Sequence, residues 1–160
     1  MSFEEIKKTG SGFVMYFNNT NNLIKDKPKE ILYLTLIDNN LKYDFPKGCI
    51  DLYEKPYSCA IRETREETGL QIDKHYMGHP SKFNIFGNGL VMYLASYLLD
   101  IEDIYGTPNL KKYIKIPIIN EKSKIIEHKD YLWGTYDQIK DNFPEYLQDV
   151  LEWANNILTK

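Results

Sequence analysis

Apolar residues in the first third of the chain form short, β-prone runs. Residues 12–17 alternate enough to predict a first strand, and residues 31–37 are rich in β-branched and aromatic side chains and predict a second. The segment between them, 18–30, is polar and predicts a loop. A shorter apolar run at 43–45 precedes a glycine. These runs predict one part of a β-sheet.

The middle of the chain carries further runs of the same kind. Residues 71–79 predict a strand and residues 89–99 a longer one, with residues 83–89 as the turn between them. Residues 114–119 are also apolar, but Pro117 interrupts them. Because proline cannot donate to a strand ladder, this last run predicts an edge position or a loop.

A helix is predicted between these two groups of strands. Pro56 suits the first turn of a helix, where its missing N–H would have no partner anyway, and Gly69 can adopt the left-handed backbone that ends a helix. The predicted helix is Pro56–Thr68. Cys59, Ala60, Ile61 and Thr64 give it a face of small or apolar residues, which predicts packing against a sheet.

Two more helices are predicted near the carboxyl terminus. Thr135 is the expected N-cap of a small helix that runs through Lys140, and Pro144 opens the last helix. Apolar residues recur at helical spacing in this last helix, namely Tyr146, Leu147, Val150, Leu151, Trp153, Ala154, Ile157 and Leu158. Strands and helices together predict an α/β protein with a mixed β-sheet.

Length and charge narrow the class of protein. With 160 residues we expect a single domain over residues 1–160. A net charge of −3 provides no broad basic field for long nucleic acid, which is therefore disfavoured as a partner. No apolar run approaches the length of a membrane span, and the two cysteines form no disulfide framework. We expect a cytoplasmic monomer with reduced thiols and no membrane contact.

Carboxylates concentrate on one stripe of the predicted helix. Glu63, Glu66 and Glu67 stand at positions i, i+3 and i+4, so their side chains converge. Three clustered carboxylates repel one another unless a cation lies between them. Mg²⁺ or Mn²⁺ removes this repulsion, contacts phosphate oxygens and lowers the pKa of a bound water. A solvated acidic face with i,i+4 ion pairs is the simpler alternative.

The sequence around this helix has a specific spacing, G-x5-E-x7-R-E-T-x-E-E-x-G-L, over residues 48–70. This spacing resembles the signature of the Nudix hydrolase family. Its fixed positions are Gly48, Glu54, Arg62, Glu63, Glu66, Glu67 and Gly69. The preceding residues 45–47, Phe-Pro-Lys, resemble the entry to this signature in several Nudix branches. The resemblance implies an α/β/α sandwich with the motif helix packed on the mixed sheet.

The resemblance also implies roles for the motif residues. Glu66 and Glu67 become the first metal ligands, Glu63 a ligand or the base that deprotonates water, and the Gly48 carbonyl an additional ligand. Glu54 and Arg62 pair to fix the loop against the helix, and Gly69 ends the helix. Many members carry glycine where this chain has Tyr53. The loop therefore bends differently, or Tyr53 lines the site.

Two segments outside the motif resemble the asymmetrical diadenosine tetraphosphate hydrolase branch. One runs from Lys82 through Tyr97, and the other is Glu127-His128 followed by Trp133. The resemblance implies that an acidic residue of the second segment joins the catalytic site, so Glu127 is the candidate. An exposed loop glutamate is the alternative, and the competing acids are Glu102 and Asp103.

Substrate contacts are predicted from chemistry that a nucleotide needs. A purine requires a flat apolar partner, and Phe83, Phe86, Tyr93 and Tyr131 are the available rings, although each could equally be a core residue. Lys47 and Lys82 are the cations expected to contact the polyphosphate. The three histidines lack metal-ligand spacing, so hydrogen-bonded or surface roles are expected for them.

The predicted activity is metal-dependent hydrolysis of a phosphoanhydride in a nucleoside polyphosphate, with diadenosine tetraphosphate giving ATP and AMP. A metal-activated water would attack phosphorus in line. Two alternatives stay open. One is the same chemistry on another diphosphate, such as capped RNA, a diphosphoinositol phosphate or a nucleoside triphosphate. The other is a catalytically silent nucleotide-binding module, which the intact Glu63, Glu66 and Glu67 argue against.

Overall fold

A computed structural model of the protein describes residues 7–72, 76–97 and 114–160, with backbone only for 76–80. The strands are β1 (Gly10–Asn18), β2 (Ile31–Asp38), β3 (Tyr43–Asp44), β4 (Lys47–Cys49), β5 (Tyr76–Phe86), β6 (Leu90–Tyr97) and β7 (His128–Gly134). The helices are α1 (Pro56–Thr68), α2 (Tyr136–Ile139) and α3 (Glu145–Leu158), and a 3₁₀ turn (Lys140–Asn142) follows α2.

The described strands form one seven-stranded mixed sheet. Strand β1 lies at its centre, antiparallel to β2 and β4 and parallel to β6. Strand β5 pairs antiparallel with β6 at one edge, and β7 pairs antiparallel with β2 at the other. The short β3 also pairs with β2. The order of the main strands is therefore β7, β2, β1, β6 and β5.

Helices cover both faces of this sheet. The first core lies between the sheet and α1, and includes Phe13, Leu34, Ala60 and Tyr93. The second lies on the opposite face under α2 and α3, and includes Val14 and residues of α3. Because successive residues of a strand point to opposite faces, Phe13 and Val14 enter different cores. The predicted α/β/α sandwich is confirmed.

Helix α1 begins and ends where the sequence predicts. Pro56 occupies the first turn, and Gly69 adopts φ of +82° and donates its backbone N–H to the carbonyl of Arg65 at 2.8 Å. Thr64 is buried in the face toward the sheet, as expected, and its hydroxyl has no partner among the described residues. Thr64 therefore stabilises the packing of α1 on the sheet through its methyl group and not through its hydroxyl.

The prediction for the turn before β6 was wrong in extent. Strand β5 continues through Phe86, and only residues 87–89 form the turn. Phe83, Ile85 and Phe86 pair with Tyr93, Val91 and Leu90 of β6, so strand pairing overrides the local Asn and Gly composition that suggested a longer turn. Part of the predicted strand 71–79 lies outside the described residues, as does the end of the predicted strand 89–99.

The segment 114–119 has the character that Pro117 predicts. It contributes no strand to the sheet, and Ile119 forms only an isolated bridge with Ile126. Thr135 caps α2 as predicted, since its hydroxyl accepts the N–H of Gln138 and the Gln138 side chain accepts the N–H of Thr135. The strand β7, unlike α2, was not identified as a strand from the sequence. None of the described helices is long and apolar enough to cross a membrane.

Candidate metal site

The carboxylates of α1 open into a narrow cleft. We call it the carboxylate cleft. It is lined by Glu63, Glu66, Glu67, Ile118, Asn120, Glu127 and His128. The motif spacing places the three helix residues on one side, and the start of β7 supplies Glu127 and His128 on the other. Residues far apart in sequence thus meet at one site, and Glu127 lies where the sequence analysis expected the fourth carboxylate.

Glu67 is a half-buried acid that contacts the backbone of β4. Its Oε1 atom accepts the backbone N–H of Lys47 at 3.1 Å. Burial raises the pKa of Glu67 well above its usual value, and the negative charge of Asp44 raises it further. A cation would stabilise the charged form of such a carboxylate more than the contacts of Lys47 do.

Glu63 lies directly against the backbone of Gly48. A Cβ atom on Gly48 would overlap the Glu63 carboxyl group, so only glycine leaves room for it here. Burial raises the pKa of Glu63, although the neighbouring guanidinium of Arg62 opposes the rise. The Gly48 carbonyl, a predicted ligand, accepts a long contact from the thiol of Cys59 at 3.6 Å.

Arg62 ties the loop to the helix, and its predicted pairing with Glu54 is present. Its Nε and Nη2 atoms donate to Glu54 at 2.7 and 2.9 Å, a bidentate geometry. The same guanidinium donates to Glu63 at 2.9 Å and to the carbonyl of Cys49 at 3.0 Å. Hydrogen bonds from Arg62 lower the pKa of Glu54 to about 2. Arg62 therefore fixes both the loop and Glu63.

Tyr53 resolves the departure from the family pattern. Its φ of +64° is the left-handed conformation that glycine adopts easily, and its side chain is 96% exposed. The loop thus keeps the bend of a glycine-containing loop, and the ring stands in solvent instead of lining the cleft. For a residue with a side chain, this backbone costs about 1–2 kcal/mol.

The two sides of the cleft together supply a mixed set of possible metal ligands. One ligand atom each from Glu67, Glu127 and His128 lie within 4.8 Å of one another. Asn120 donates its side-chain N–H to Glu127 Oε1 at 3.2 Å and so orients it. Carboxylate oxygens are the ligands that Mg²⁺ and Mn²⁺ prefer, whereas the Nε2 atom of His128 is bonded to Asp44. The donor set of this cleft therefore fits a divalent cation.

Asp44, Asn120 and His128 were missed as site residues by the sequence analysis. Asp44 accepts hydrogen bonds from His128 Nε2 and from the Lys47 ammonium, each at 2.9 Å. His128 is only 5% exposed, which agrees with the expected hydrogen-bonded role. The signal that pointed to it was its position next to Glu127. Nothing local marks Asp44 as the partner of His128, because the two residues lie 84 positions apart.

The predicted substrate residues are spread over both faces of the sheet. Phe83 is 47% exposed on β5, and its ring contacts Tyr93 at 5.6 Å between centroids. Tyr93 is buried and, like the half-buried Tyr131, belongs to the core beneath α1. Phe86 packs instead on the face covered by α3, where its ring meets Trp153 at 5.6 Å. The structure does not bring Phe86 to the carboxylate cleft.

The two predicted cations also differ. The Lys47 ammonium is paired with Asp44 and lies 5.8 Å from the centre of the Tyr146 ring, so its charge is already engaged. Lys82 is exposed on β5. The competing acids Glu102 and Asp103 lie outside the described residues.

The two cysteines have structural surroundings. Cys49 is exposed and free, and Cys59 is buried, with its thiol 3.4 Å from the carbonyl of Cys49. Burial raises the pKa of Cys59 to about 12, which keeps this thiol protonated.

Fold and cleft together define the class: an α/β protein whose helix-borne carboxylates suit a divalent cation and a phosphate substrate. The family model described as the NUDIX domain matches residues 15–154. The chain therefore belongs to the Nudix family, and the membership supports a Nudix-type hydrolase of nucleoside diphosphate-linked substrates. None of the curated proteins matches the sequence.

Solved structures share this fold at low identity. A Caenorhabditis elegans Ap4A hydrolase in a binary complex is 20% identical, with a TM-score of 0.64 over 94% of this chain and 98% of that one. The Escherichia coli dihydroneopterin triphosphate pyrophosphohydrolase is 12% identical, with a TM-score of 0.60 over 92% and 94%. The NUDIX domain of Shewanella oneidensis NrtR, complexed with ADP ribose, is 15% identical, with a TM-score of 0.54 over 99% and 94%. These likenesses establish the fold.

Proposed function

We propose that this protein hydrolyses a phosphoanhydride bond in a dinucleoside tetraphosphate and releases a nucleoside triphosphate and a nucleoside monophosphate. The observation that carries the proposal is the carboxylate cleft, in which Glu63, Glu66 and Glu67 of α1 face Glu127 at the start of β7. These carboxylates would repel an anionic substrate unless a cation neutralised their charge. The proposed cofactor is Mg²⁺ or Mn²⁺.

We assign cation binding and proton acceptance to different residues of the cleft. Glu66 and Glu67 would hold the cation, together with the Gly48 carbonyl and with Glu63 or Glu127. When bound, the cation withdraws charge from phosphate oxygens and makes a water molecule more acidic. Glu63 is held through Oε1 by Arg62, and its Oε2 atom has no partner among the described residues. That atom can accept the proton of the attacking water, or Glu127 can do so from the other side of the cleft.

The preference for a dinucleotide rests on the position of the exposed aromatic ring. Phe83 lies on β5 at one edge of the sheet, and Glu127 precedes β7 at the other. At least four strand spacings separate these edges, about 19 Å or more, because β3 and β4 also lie between β2 and β1 at one end. A ligand that stacks on Phe83 and reaches Glu127 must therefore be elongated, as a dinucleoside polyphosphate is. Tyr131, on the α1 face of β7, is the proposed platform at the second edge.

Two further observations support this substrate class. The fold is shared with an Ap4A hydrolase of similar length, although at 20% identity. The net charge of −3 disfavours long RNA, because counterion release needs clustered Lys and Arg. Lys82, exposed beside Phe83, is the proposed contact for the polyphosphate.

Product analysis tests the proposal. Purified protein with Mg²⁺, and separately with Mn²⁺, is incubated with diadenosine tetraphosphate, nucleoside triphosphates, capped RNA and a diphosphoinositol phosphate. We expect ATP and AMP from the dinucleotide as the fastest reaction. Faster release of a cap nucleotide, or of phosphate from the inositol, would move the protein to another Nudix substrate. Inactivity on the whole panel with both metals would instead indicate a nucleotide-binding module.

Phe83→Ala should raise the KM for diadenosine tetraphosphate about five-fold or more, because a stacked ring contributes on the order of 1 kcal/mol beyond burial. The KM for inorganic pyrophosphate, which has no base, should not change. Steady-state kinetics on both substrates measure the two values.

Phe86→Ala is the matched control for this variant. The same substitution three residues along β5 removes a ring from the opposite face, where it contacts Trp153. It should lower Tm and leave the KM for the dinucleotide unchanged. Equal KM effects of the two variants would show that Phe83 contributes to folding only.

A further inference from the structure

Asp44 links Lys47 of β4 to His128 of β7 through its two carboxylate oxygens. Its Oδ1 atom pairs with the Lys47 ammonium at 2.9 Å, and its Oδ2 atom accepts from His128 Nε2 at 2.9 Å. The Asp44 side chain is 20% exposed, that of Lys47 18% and that of His128 5%, so solvent screens these contacts little. Burial would raise the pKa of Asp44, but His128 and Lys47 outweigh it and lower the pKa.

The strand pairing explains why these side chains meet. Asp44 lies opposite Leu36 of β2, and His128 lies opposite Asp38, on the other flank of the same strand. Residues directly opposite each other point to the same face, so Asp44 shares the face of Leu36. A register shift between Ile37 and Asp38 leaves one additional residue in β7 and brings His128 to that face as well. The Asp44–His128 bond therefore crosses β2 on the face where Leu36 packs beneath α1.

Lys47 and His128 each connect Asp44 to a carboxylate of the cleft. The backbone N–H of Lys47 donates to Glu67 Oε1 at 3.1 Å. His128 immediately follows Glu127, which accepts from the Asn120 side chain at 3.2 Å. The path from Glu67 through Lys47, Asp44 and His128 thus ends at Glu127, and Asp44 is its central member.

We propose that Asp44 is a positioning residue that sets the separation of Glu67 and Glu127 and thereby the affinity of the site for a divalent cation. The inference rests on the proposed metal site. Groups that orient metal ligands contribute about 10- to 100-fold to affinity, because a site held in place loses less entropy when the ion binds. Asp44 itself touches neither the ion nor the substrate.

Asp44→Asn tests the inference through metal binding without substrate. An amide has one acceptor oxygen, which cannot serve both Lys47 and His128 as the two carboxylate oxygens do. We expect the Kd for Mn²⁺, measured by electron paramagnetic resonance of the free ion, to rise about ten-fold. At saturating Mn²⁺ the kcat should recover to within about three-fold of the wild type, with KM unchanged.

His128 supplies a second, independent pair of variants. His128→Gln keeps an N–H donor near Asp44, and His128→Asn is too short to provide one. We expect His128→Asn to weaken Mn²⁺ binding about ten-fold and His128→Gln to remain within about three-fold of the wild type. The Asp44→Asn/His128→Asn double variant should bind no more weakly than either single variant, because all three break the same path.

Controls separate this inference from the metal site itself. Asp137→Asn removes an exposed aspartate that pairs with Lys140, and should leave Mn²⁺ binding unchanged. Glu67→Gln should weaken Mn²⁺ binding strongly, and a normal Kd in that variant would overturn the proposed metal site. A weakened Glu67→Gln with a normal Kd in Asp44→Asn, whatever its Tm, would overturn the positioning role alone.

Discussion

Replacing Glu67 by glutamine should lower kcat by at least about 100-fold while the protein remains folded. The substitution removes the charge of a predicted metal ligand in the carboxylate cleft with little change in volume. The glutamine side chain would keep an oxygen for the backbone N–H of Lys47, which now donates to Glu67 at 3.1 Å, so the junction of β4 and α1 should survive. The loss should therefore be confined to cation binding and catalysis.

Steady-state kinetics with Mg²⁺ and Mn²⁺, together with Tm measured without metal, check this prediction. Because burial raises the pKa of Glu67 and so disfavours its charge, its neutral replacement should not lower Tm in the absence of metal. Glu152→Gln is the control, since Glu152 is exposed on α3 and should affect neither quantity. Near-normal turnover of Glu67→Gln would reject the metal role of Glu67.

Glu67→Gln should lower kcat without lowering the metal-free Tm because the carboxylates of the cleft repel one another. Glu63, Glu66 and Glu67 lie on one stripe of α1, and Glu127 adds a charge that raises the pKa values of Glu63 and Glu67. Arg62 offsets part of this repulsion through its bonds to Glu63 and Glu66. The repulsion that remains destabilises the metal-free protein, and other contacts of the fold compensate for it. A bound cation would remove this repulsion.

The sequence predicts best where the determining contacts are local. The bounds of α1 follow from Pro56 and Gly69, and the convergence of its carboxylates follows from helix geometry alone, so both predictions were confirmed. The Glu54–Arg62 pair is eight residues apart and is fixed by the motif spacing. The cap of α2 at Thr135 needs only the residue three positions on.

Prediction fails where pairing between distant strands decides. The residues of 83–86 have turn-forming neighbours, yet β6 draws them into β5. This pairing also fixes the faces of the sheet, so Phe83 and Phe86, both candidates for base stacking, end on opposite sides. The Asp44–His128 bond joins residues 84 positions apart, and no pattern in either local sequence specifies it.

Tyr53 shows a third kind of difference between the sequence and the structure. Its backbone adopts the left-handed conformation that glycine favours, although the residue is a tyrosine. The bonds of Arg62 to Glu54 and to the Cys49 carbonyl hold both sides of the loop, so the left-handed bend is imposed from outside. The sequence alone left a different bend open because local propensity opposes the one observed. Contacts on either side of Tyr53 outweigh that preference.

Gly48→Ala should lower kcat by about 10- to 100-fold through displacement of Glu63. A Cβ atom at position 48 would overlap the Glu63 carboxyl group, and the Arg62 bond at 2.9 Å on the other side of Glu63 prevents a simple retreat. Overpacking of this kind costs about 1–3 kcal/mol, so Tm should also fall. Kinetics and thermal unfolding measure the two effects.

Gly87→Ala is the matched control for this substitution. Gly87 has φ of +49° and nothing within 4 Å of the position of a Cβ atom, so its replacement costs backbone strain without moving a neighbour. It should lower Tm by a few degrees and leave kcat unchanged. The comparison separates loss of stability from displacement of a catalytic carboxylate.

A Gly48→Ala/Glu63→Gln double variant separates displacement of the Glu63 carboxylate from a general loss of stability. If alanine at position 48 acts on catalysis through Glu63, it should reduce kcat about 10- to 100-fold in the wild type and little more once the carboxylate of Glu63 is gone. Equal reductions in both backgrounds would instead mean that alanine disturbs the Gly48 carbonyl. In that case the carbonyl, and not the space that glycine leaves for Glu63, would be the reason that this position requires glycine.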